Sequence, residues 1–263
     1  MQAHLVQMDI VWEDRSANFA LVESMLDTAD VRDGDLVVLP ELFDVGFSLN
    51  LDAAPDREGR TLAFLTSLAA RRGITVHGGR AVLAEGAAKA LNTAVIVGPQ
   101  PGSGHAAVLC DYAKLHPFSF GRESESYTGG DRAMAYDWVD GPDTLRVCPA
   151  VCYDLRFPEL FRAGIRLGAE AFAIGANWPA SRQHHWRTLL LARAIENQAV
   201  VLGVNRCGND PHLAYAGGSI AVSAKGEILG ELNDRPGVLT VAVDPAQVRA
   251  WRAEFPALAD VRL

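Results

Sequence analysis

Cysteine is scarce in this chain: Cys110, Cys148, Cys152 and Cys207 are the four among 263 residues. They are too few and too scattered for a disulfide framework. Cys148 and Cys152 on one extended strand would stand about 13 Å apart, beyond disulfide reach. Free thiols in a reducing compartment are the consistent expectation. No apolar run approaches the length of a membrane helix. The start, Met1-Gln2-Ala3-His4, lacks the basic region and apolar core of a signal peptide. Basic clusters are missing too: 24 Lys and Arg stand against 32 Asp and Glu, for a net charge of -8. Such a chain repels phosphate backbones. The sequence holds no P-loop, no C-x-x-C pair and no G-x-S-x-G elbow. The expectation is a cytoplasmic protein with no nucleic-acid partner and no membrane partner.

What is present is an ordinary globular composition, 49% hydrophobic and 21% charged. No linker or fixed-period repeat interrupts it. Since α/β folds run to about 250 residues as one unit, a single domain over 1–263 is expected. Strand-like and helix-like segments alternate. Strands are predicted at Leu5 to Trp12, Asp35 to Pro40, Ile74 to Leu83, Leu91 to Val97 and Ala107 to Tyr112. Further strands follow at Leu145 to Cys152, Ala171 to Ala176, Val200 to Asn205, Gly218 to Ser223, Glu227 to Leu232 and Val238 to Val243. Helices are predicted at Ser16 to Thr28, Thr61 to Arg72, from Pro158, and at His185 to Gln198. Pro99 to Gly104 reads as a hairpin turn, and the stretch before Leu145 as a long polar loop. Fully apolar strands such as Asp35 to Pro40 fit a sheet covered on both faces. The pattern predicts an α/β fold with helices outside two sheets.

Three strand ends carry chemistry. Cys152 closes a buried strand just before a turn and a helix, where free backbone N–H groups point at the corner. The local pattern fits an activated nucleophile or a small core residue. Glu41 follows the strand ending at Leu39-Pro40; apolar neighbours are expected to raise its pKa toward general-base territory. Lys114 follows the strand through Tyr112, where an ammonium beside a thiol favours thiolate and holds an oxyanion. Each of the two also fits an ordinary surface residue. Gly102-x-Gly104-x-x-Ala107 matches a relaxed dinucleotide fingerprint, but it lies between two strands and not between strand and helix. His184-His185 has no partner cluster and reads as a polar helix start, so no metal is expected.

Taken in order, Leu39-Pro40-Glu41-Leu42-Phe43, Tyr112-Ala113-Lys114-Leu115-His116 and Val151-Cys152-Tyr153-Asp154-Leu155-Arg156-Phe157-Pro158-Glu159-Leu160 resemble the nitrilase superfamily of carbon–nitrogen hydrolases. Ala176-Asn177-Trp178-Pro179, His185-Trp186 and Ala192 to Asn197 continue the likeness over nearly the whole chain. The resemblance implies a four-layer αββα sandwich, a homodimer and a Glu41-Lys114-Cys152 triad working without a cofactor. It also implies a second acid near the site, with Glu123 aligning best and Glu125 close by. An oxyanion contact from the Tyr153 backbone N–H is expected. Pro117 departs from the family's commoner loop pattern and leaves the loop's shape open. The later segments look most like the omega-amidase branch, which hydrolyses 2-oxoglutaramate and 2-oxosuccinamate. Such a small amide carries a carboxylate, for which Arg156 and Arg182 are both candidates. Another amidase, an N-carbamoyl amino acid hydrolase, a nitrilase and a catalytically silent dimeric binding protein are the alternatives.

Overall fold

The computed structural model describes residues 1–100 and 105–262. Strands run in chain order as β1 (Gln2–Gln7), β2 (Leu36–Val38), β3 (Thr75–Val82), β4 (Ala90–Pro99), β5 (Ala106–Ala113) and β6 (Tyr127–Thr128). They continue as β7 (Tyr136–Asp140), β8 (Asp143–Val151), β9 (Ala171–Ala176) and β10 (Val200–Asn205). The last are β11 (Cys207–Asn209), β12 (Ala214–Ala216), β13 (Ile220–Val222), β14 (Ile228–Glu231) and β15 (Gly237–Ala242). The helices are α1 (Arg15–Leu26), α2 (Arg60–Arg72), α3 (Glu123–Ser126), α4 (Pro158–Arg166), α5 (Gln183–Asn197) and α6 (Pro245–Glu254).

Two sheets pack face to face. One has the order β15-β1-β2-β3-β4-β5, with β6 beside β4; the other has the order β14-β13-β10-β9-β8-β7. Alternation builds the layers. Ala3 and Leu5 of β1, Leu36 and Val38 of β2, and Ala94 and Ile96 of β4 join the core cluster shared with the second sheet. Their neighbours Val6, Val37, Val95 and Val97 face the other way, onto Val22 and Leu26 of α1 and Leu65 and Leu68 of α2. Helix α5 packs on β10 and β13, and α4 packs on α5. The result is the αββα sandwich, with strands apolar on both faces because both faces are covered.

Sequence and structure part at several places. The first strand ends at Gln7; beyond it Asp9 makes only an isolated bridge to Cys207. The predicted polar loop contains β6 and β7. In β7, Tyr136 and Trp138 point inward while Asp137 and Val139 face out. Helix α6, absent from the sequence expectation, carries ordinary start signals: the Asp244 side chain accepts the Ala246 N–H, and Pro245 opens the helix. Of the predicted turn at Pro99 to Gly104, residues 101–104 lie outside the described residues, as do both glycines of the fingerprint match.

The parallel strands set the site. β1, β2 and β3 run parallel in one sheet, and β8, β9 and β10 in the other. Their carboxyl ends open toward one edge, the usual place for ligands in such sheets.

Candidate active site

Glu41 lies in the turn after β2, Lys114 directly after β5, Cys152 directly after β8 and Glu123 at the start of α3. All four are buried in one cluster. Lys114 Nζ stands 2.8 Å from Glu41 Oε1, and 3.0 and 2.7 Å from the two carboxylate oxygens of Glu123. The Asn177 N–H donates to Glu41 Oε2 at 3.0 Å, and the Phe118 N–H to Glu123 Oε2 at 2.6 Å. The Cys152 thiol donates to the Asn177 carbonyl at 3.8 Å, and Asn177 in turn donates to Glu41 through its main-chain N–H. Glu125, the other acid weighed from the sequence, is exposed and pairs with Arg122 at 2.7 Å. The second acid of the cluster is therefore Glu123.

Backbone geometry enforces these positions. Cys152 sits in the left-handed region at φ 46°, as do Leu42 at φ 44° and Arg122 at φ 62°. Each flanks or forms part of the cluster, where strained conformations are held by their surroundings. The corner at Cys152 begins a 3₁₀ segment, Cys152–Arg156, whose first N–H groups, that of Tyr153 included, have no intrahelical acceptor. The turn bearing Glu41 is pressed between two strand glycines. A Cβ on Gly79 would lie 2.6 Å from the Leu42 nitrogen, and one on Gly175 would lie 2.7 Å from the Leu39 carbonyl. Glycine inside a strand commonly marks such a close approach.

One further carboxylate joins the pieces. Asp154 Oδ2 accepts the Tyr112 hydroxyl at 2.8 Å and the Val151 N–H at 3.0 Å. Its Oδ1 accepts the His116 N–H at 3.0 Å and lies 2.8 Å from His116 Nδ1. Tyr112 and His116 flank Lys114, and Val151 precedes Cys152, so Asp154 ties both positions together. Asp154 belongs to the 152–160 stretch of the sequence, but only the fold brings it against Tyr112 and His116.

The electrostatics correct two expectations. Burial pushes the Glu41 carboxyl up, but the Lys114 ammonium and the N–H donors outweigh it and hold it below its ordinary value. Burial pushes the Cys152 thiol well up, and the negative charge of Glu41 adds to this against the pull of Lys114. Lys114 is itself pulled down by burial, but the Glu123 and Glu41 charges hold it well above its ordinary range. One cation thus faces two anions, and its charge is already matched before the thiol is counted. Burial and the Glu41 charge both favour the thiol form of Cys152 over a preformed thiolate.

The pocket over Cys152 is walled by Phe47, Phe118, Tyr153 and Trp178, with Arg156 and Arg182 lining it. The Arg156 guanidinium lies 4.8 Å from the Trp178 ring centre, and that of Arg182 5.4 Å from Phe118. His184 and His185 are exposed on α5, where His185 Nδ1 meets Arg156 at 3.3 Å. Among the described residues no group of three or more His, Cys, Asp or Glu is arranged to hold a metal ion.

Comparisons with known proteins give the family. The family model for carbon–nitrogen hydrolases matches residues 2–253. An omega-amidase of Yersinia enterocolitica is 34% identical over 97% of this chain and 94% of its own length. A 2-oxoglutaramate amidase of Bacillus subtilis is 30% identical over 98% of this chain and 96% of its own. Among solved structures, a carbon–nitrogen hydrolase superfamily protein of Xanthomonas campestris, solved with an arsenic adduct in its active site, superposes with a TM-score of 0.87. It is 34% identical and covered over 97% of its length by the whole of this chain. A buried thiol, carboxylate and ammonium at three strand ends of an αββα sandwich are found here in a chain that belongs to the carbon–nitrogen hydrolase family, within the nitrilase superfamily, and is an amidase.

Proposed function

We propose that the chain is an omega-amidase, hydrolysing the terminal amide of a small 2-oxo dicarboxylic acid monoamide such as 2-oxoglutaramate or 2-oxosuccinamate. The observation that carries this reading is the Cys152 thiol, strained at its strand end and buried in one cluster with Glu41, Lys114 and Glu123. The names of the relatives favour the same substrates. The pocket favours them too: Arg156 and Arg182 offer cations for the carboxylate, and the aromatic walls leave room for a short linear chain.

In this mechanism the Sγ–H proton passes to Glu41 as sulfur attacks the amide carbonyl. With the thiol pushed up, formation of the C–S bond drives the transfer. Negative charge develops on the carbonyl oxygen, where Lys114 Nζ and the Tyr153 N–H receive it. Glu41 then returns the proton to the amide nitrogen, the C–N bond breaks, and ammonia leaves a thioester on Cys152. A water molecule gives a proton to Glu41 and attacks the thioester, releasing the carboxylic acid and the thiol. Glu123 fixes Lys114 through both its oxygens and orients the amide nitrogen or the water. No cofactor enters these steps.

The reading includes a symmetric dimer with α4 and α5 near the interface, in keeping with an exposed Ile195 on α5 and Leu167 after α4. Among the described residues no helix is long and apolar enough to cross a membrane. Ammonia release from omega-amides, N-carbamoyl amino acids and nitriles, measured side by side, tests the proposal. Turnover of the 2-oxo omega-amides far above the rest is expected. Preference for a nitrile or an N-carbamoyl compound would overturn it.

A further inference from the structure

Asn92, on β4, stands between the two carboxylates of the site and has been given no part in the chemistry so far. Its Nδ2 donates to Glu41 Oε1 at 2.8 Å and to Glu123 Oε1 at 2.9 Å. Lys114 Nζ meets the same two oxygens at 2.8 and 3.0 Å. Two shared donors therefore draw two anionic oxygens together inside the protein. Carboxylates brought this close ordinarily share a proton, and the pair titrates as a unit.

The carboxamide has one orientation open to it. Rotated by half a turn, it would set Oδ1 against both anionic oxygens. As it stands, Oδ1 is buried with no hydrogen-bond partner. A buried acceptor left unpaired is a standing cost, and here it accompanies an amide whose two hydrogens each serve one carboxylate. The Asn92 main-chain carbonyl also accepts the Lys114 N–H at 2.8 Å. One residue thereby sets all three charged groups.

We propose that Asn92 is a positioning residue that holds the Glu41 carboxylate in place beside Glu123 and keeps Glu41 ionised, so that Glu41 is free to take the Cys152 proton. A neutral double donor suits this task. A second cation would neutralise the cluster and hold Glu41 too firmly ionised to accept a proton. A carboxyl group would add a third titrating acid. The proposal rests on Glu41 acting as the base toward Cys152. Donation from Asn92 also acts to lower the Glu41 pKa, in the direction the argument requires.

The test uses the full chain with Asn92→Ser and Asn92→Asp, each checked for folding by circular dichroism and melting. The serine hydroxyl has one proton and serves one carboxylate at most; the aspartate is isosteric and brings a third acid. Two pH profiles are measured: kcat/KM for 2-oxoglutaramate hydrolysis and the rate of Cys152 alkylation by iodoacetamide. In Asn92→Ser the acidic limb of both profiles should move up by about one pH unit, a tenfold change in the proton equilibrium, with KM at pH 8 changed less than about twofold. Asn92→Asp should move it further. Folded variants whose acidic limbs coincide with the wild type, or whose losses are equal at every pH, would overturn the proposal. Should the wild type hydrolyse no amide, the omega-amidase reading falls by itself. The alkylation profile then still decides the role of Asn92, because it needs only the passage of the thiol proton to Glu41.

Discussion

Replacing Lys114 by methionine removes the one ammonium held between two buried carboxylates. Lys114, Glu41 and Glu123 are all sealed from solvent, and the ion-pair distances are 2.8 and 2.7 Å. Taking one partner from a buried ion pair costs roughly 3–5 kcal/mol, because an uncompensated charge remains. For a chain of this size each kcal/mol lowers Tm by roughly 2–4 °C, so a fall of about 10 °C near pH 8 is expected. The loss should depend on pH in a definite sense. Without the cation, the pKa of the carboxylate pair rises above its unfolded value. The folded variant then binds a proton that the unfolded chain does not, and its stability recovers as pH falls through the raised pKa. Urea unfolding at pH 8 and pH 5.5 should show the deficit of Lys114→Met shrinking at the lower pH. Adding Glu123→Gln should restore much of the stability at pH 8, yet leave turnover at least about 100-fold down, since the oxyanion contact is still missing. A Lys114→Met protein as stable as the wild type at pH 8, or a deficit constant with pH, would refute this account of the cluster.

Other expectations follow from the same geometry. Gly79→Ala sets a Cβ against the Leu42 nitrogen and must shift the Glu41 turn; kcat should fall by about 100-fold, as for a misplacement of about 1 Å, and unchanged kcat would show that the turn has slack. Glu123→Gln should cut kcat sharply, whereas Glu125→Gln, which breaks an exposed pair with Arg122, should leave both stability and turnover essentially unchanged. Steady-state kinetics of the two variants side by side checks this, and a larger loss in Glu125→Gln would contradict it. Burial pushes Asp44 up to about 6 from 3.8, with Arg15 offsetting part of the rise. Its folded pKa is above its unfolded one, so its ionisation costs stability at neutral pH, and that cost disappears as pH falls from about 6 to about 4. The difference of about two units corresponds to about 3 kcal/mol. Relative to Asp44→Asn, the wild type should gain stability over that window in urea titrations, and parallel curves would exclude it.

The layers were legible because the strands are short and apolar on both faces: Leu36 to Val38 and Ala171 to Ala176 allow little else. Helix α6 and strand β7 are harder to read from the residues, although each carries a local signal. In β7 the alternation runs over only five residues, Tyr136 to Asp140, within a polar stretch. The strand-end positions of Glu41, Lys114 and Cys152 followed from the apolar runs before them, and their convergence came from the family likeness. Their charge states did not follow. Apolar neighbours near Glu41 suggested a raised pKa, but Lys114 and the Asn177 N–H reach it from distant segments and reverse the sign. Asn92 and Asp154 illustrate the same limit. Each is one polar residue beside an apolar run, and only the folded chain shows that Asn92 spans two carboxylates and that Asp154 joins three segments. The fold's tolerance for strain at Cys152 was equally invisible, since nothing in the residue string marks a left-handed cysteine.

The central claim is that the Cys152 sulfur carries the acyl group between amide and water. Rapid acid quench of the enzyme turning over 2-oxoglutaramate, followed by peptide mass spectrometry, tests it most directly. The account predicts an acyl adduct on Cys152 and none on Cys148, Cys110 or Cys207, with added hydroxylamine diverting the acyl group to a hydroxamate. Cys152→Ala should lose both signals, with turnover down by roughly 10⁴-fold or more. An adduct on another residue, or substantial turnover in Cys152→Ala, would contradict the account.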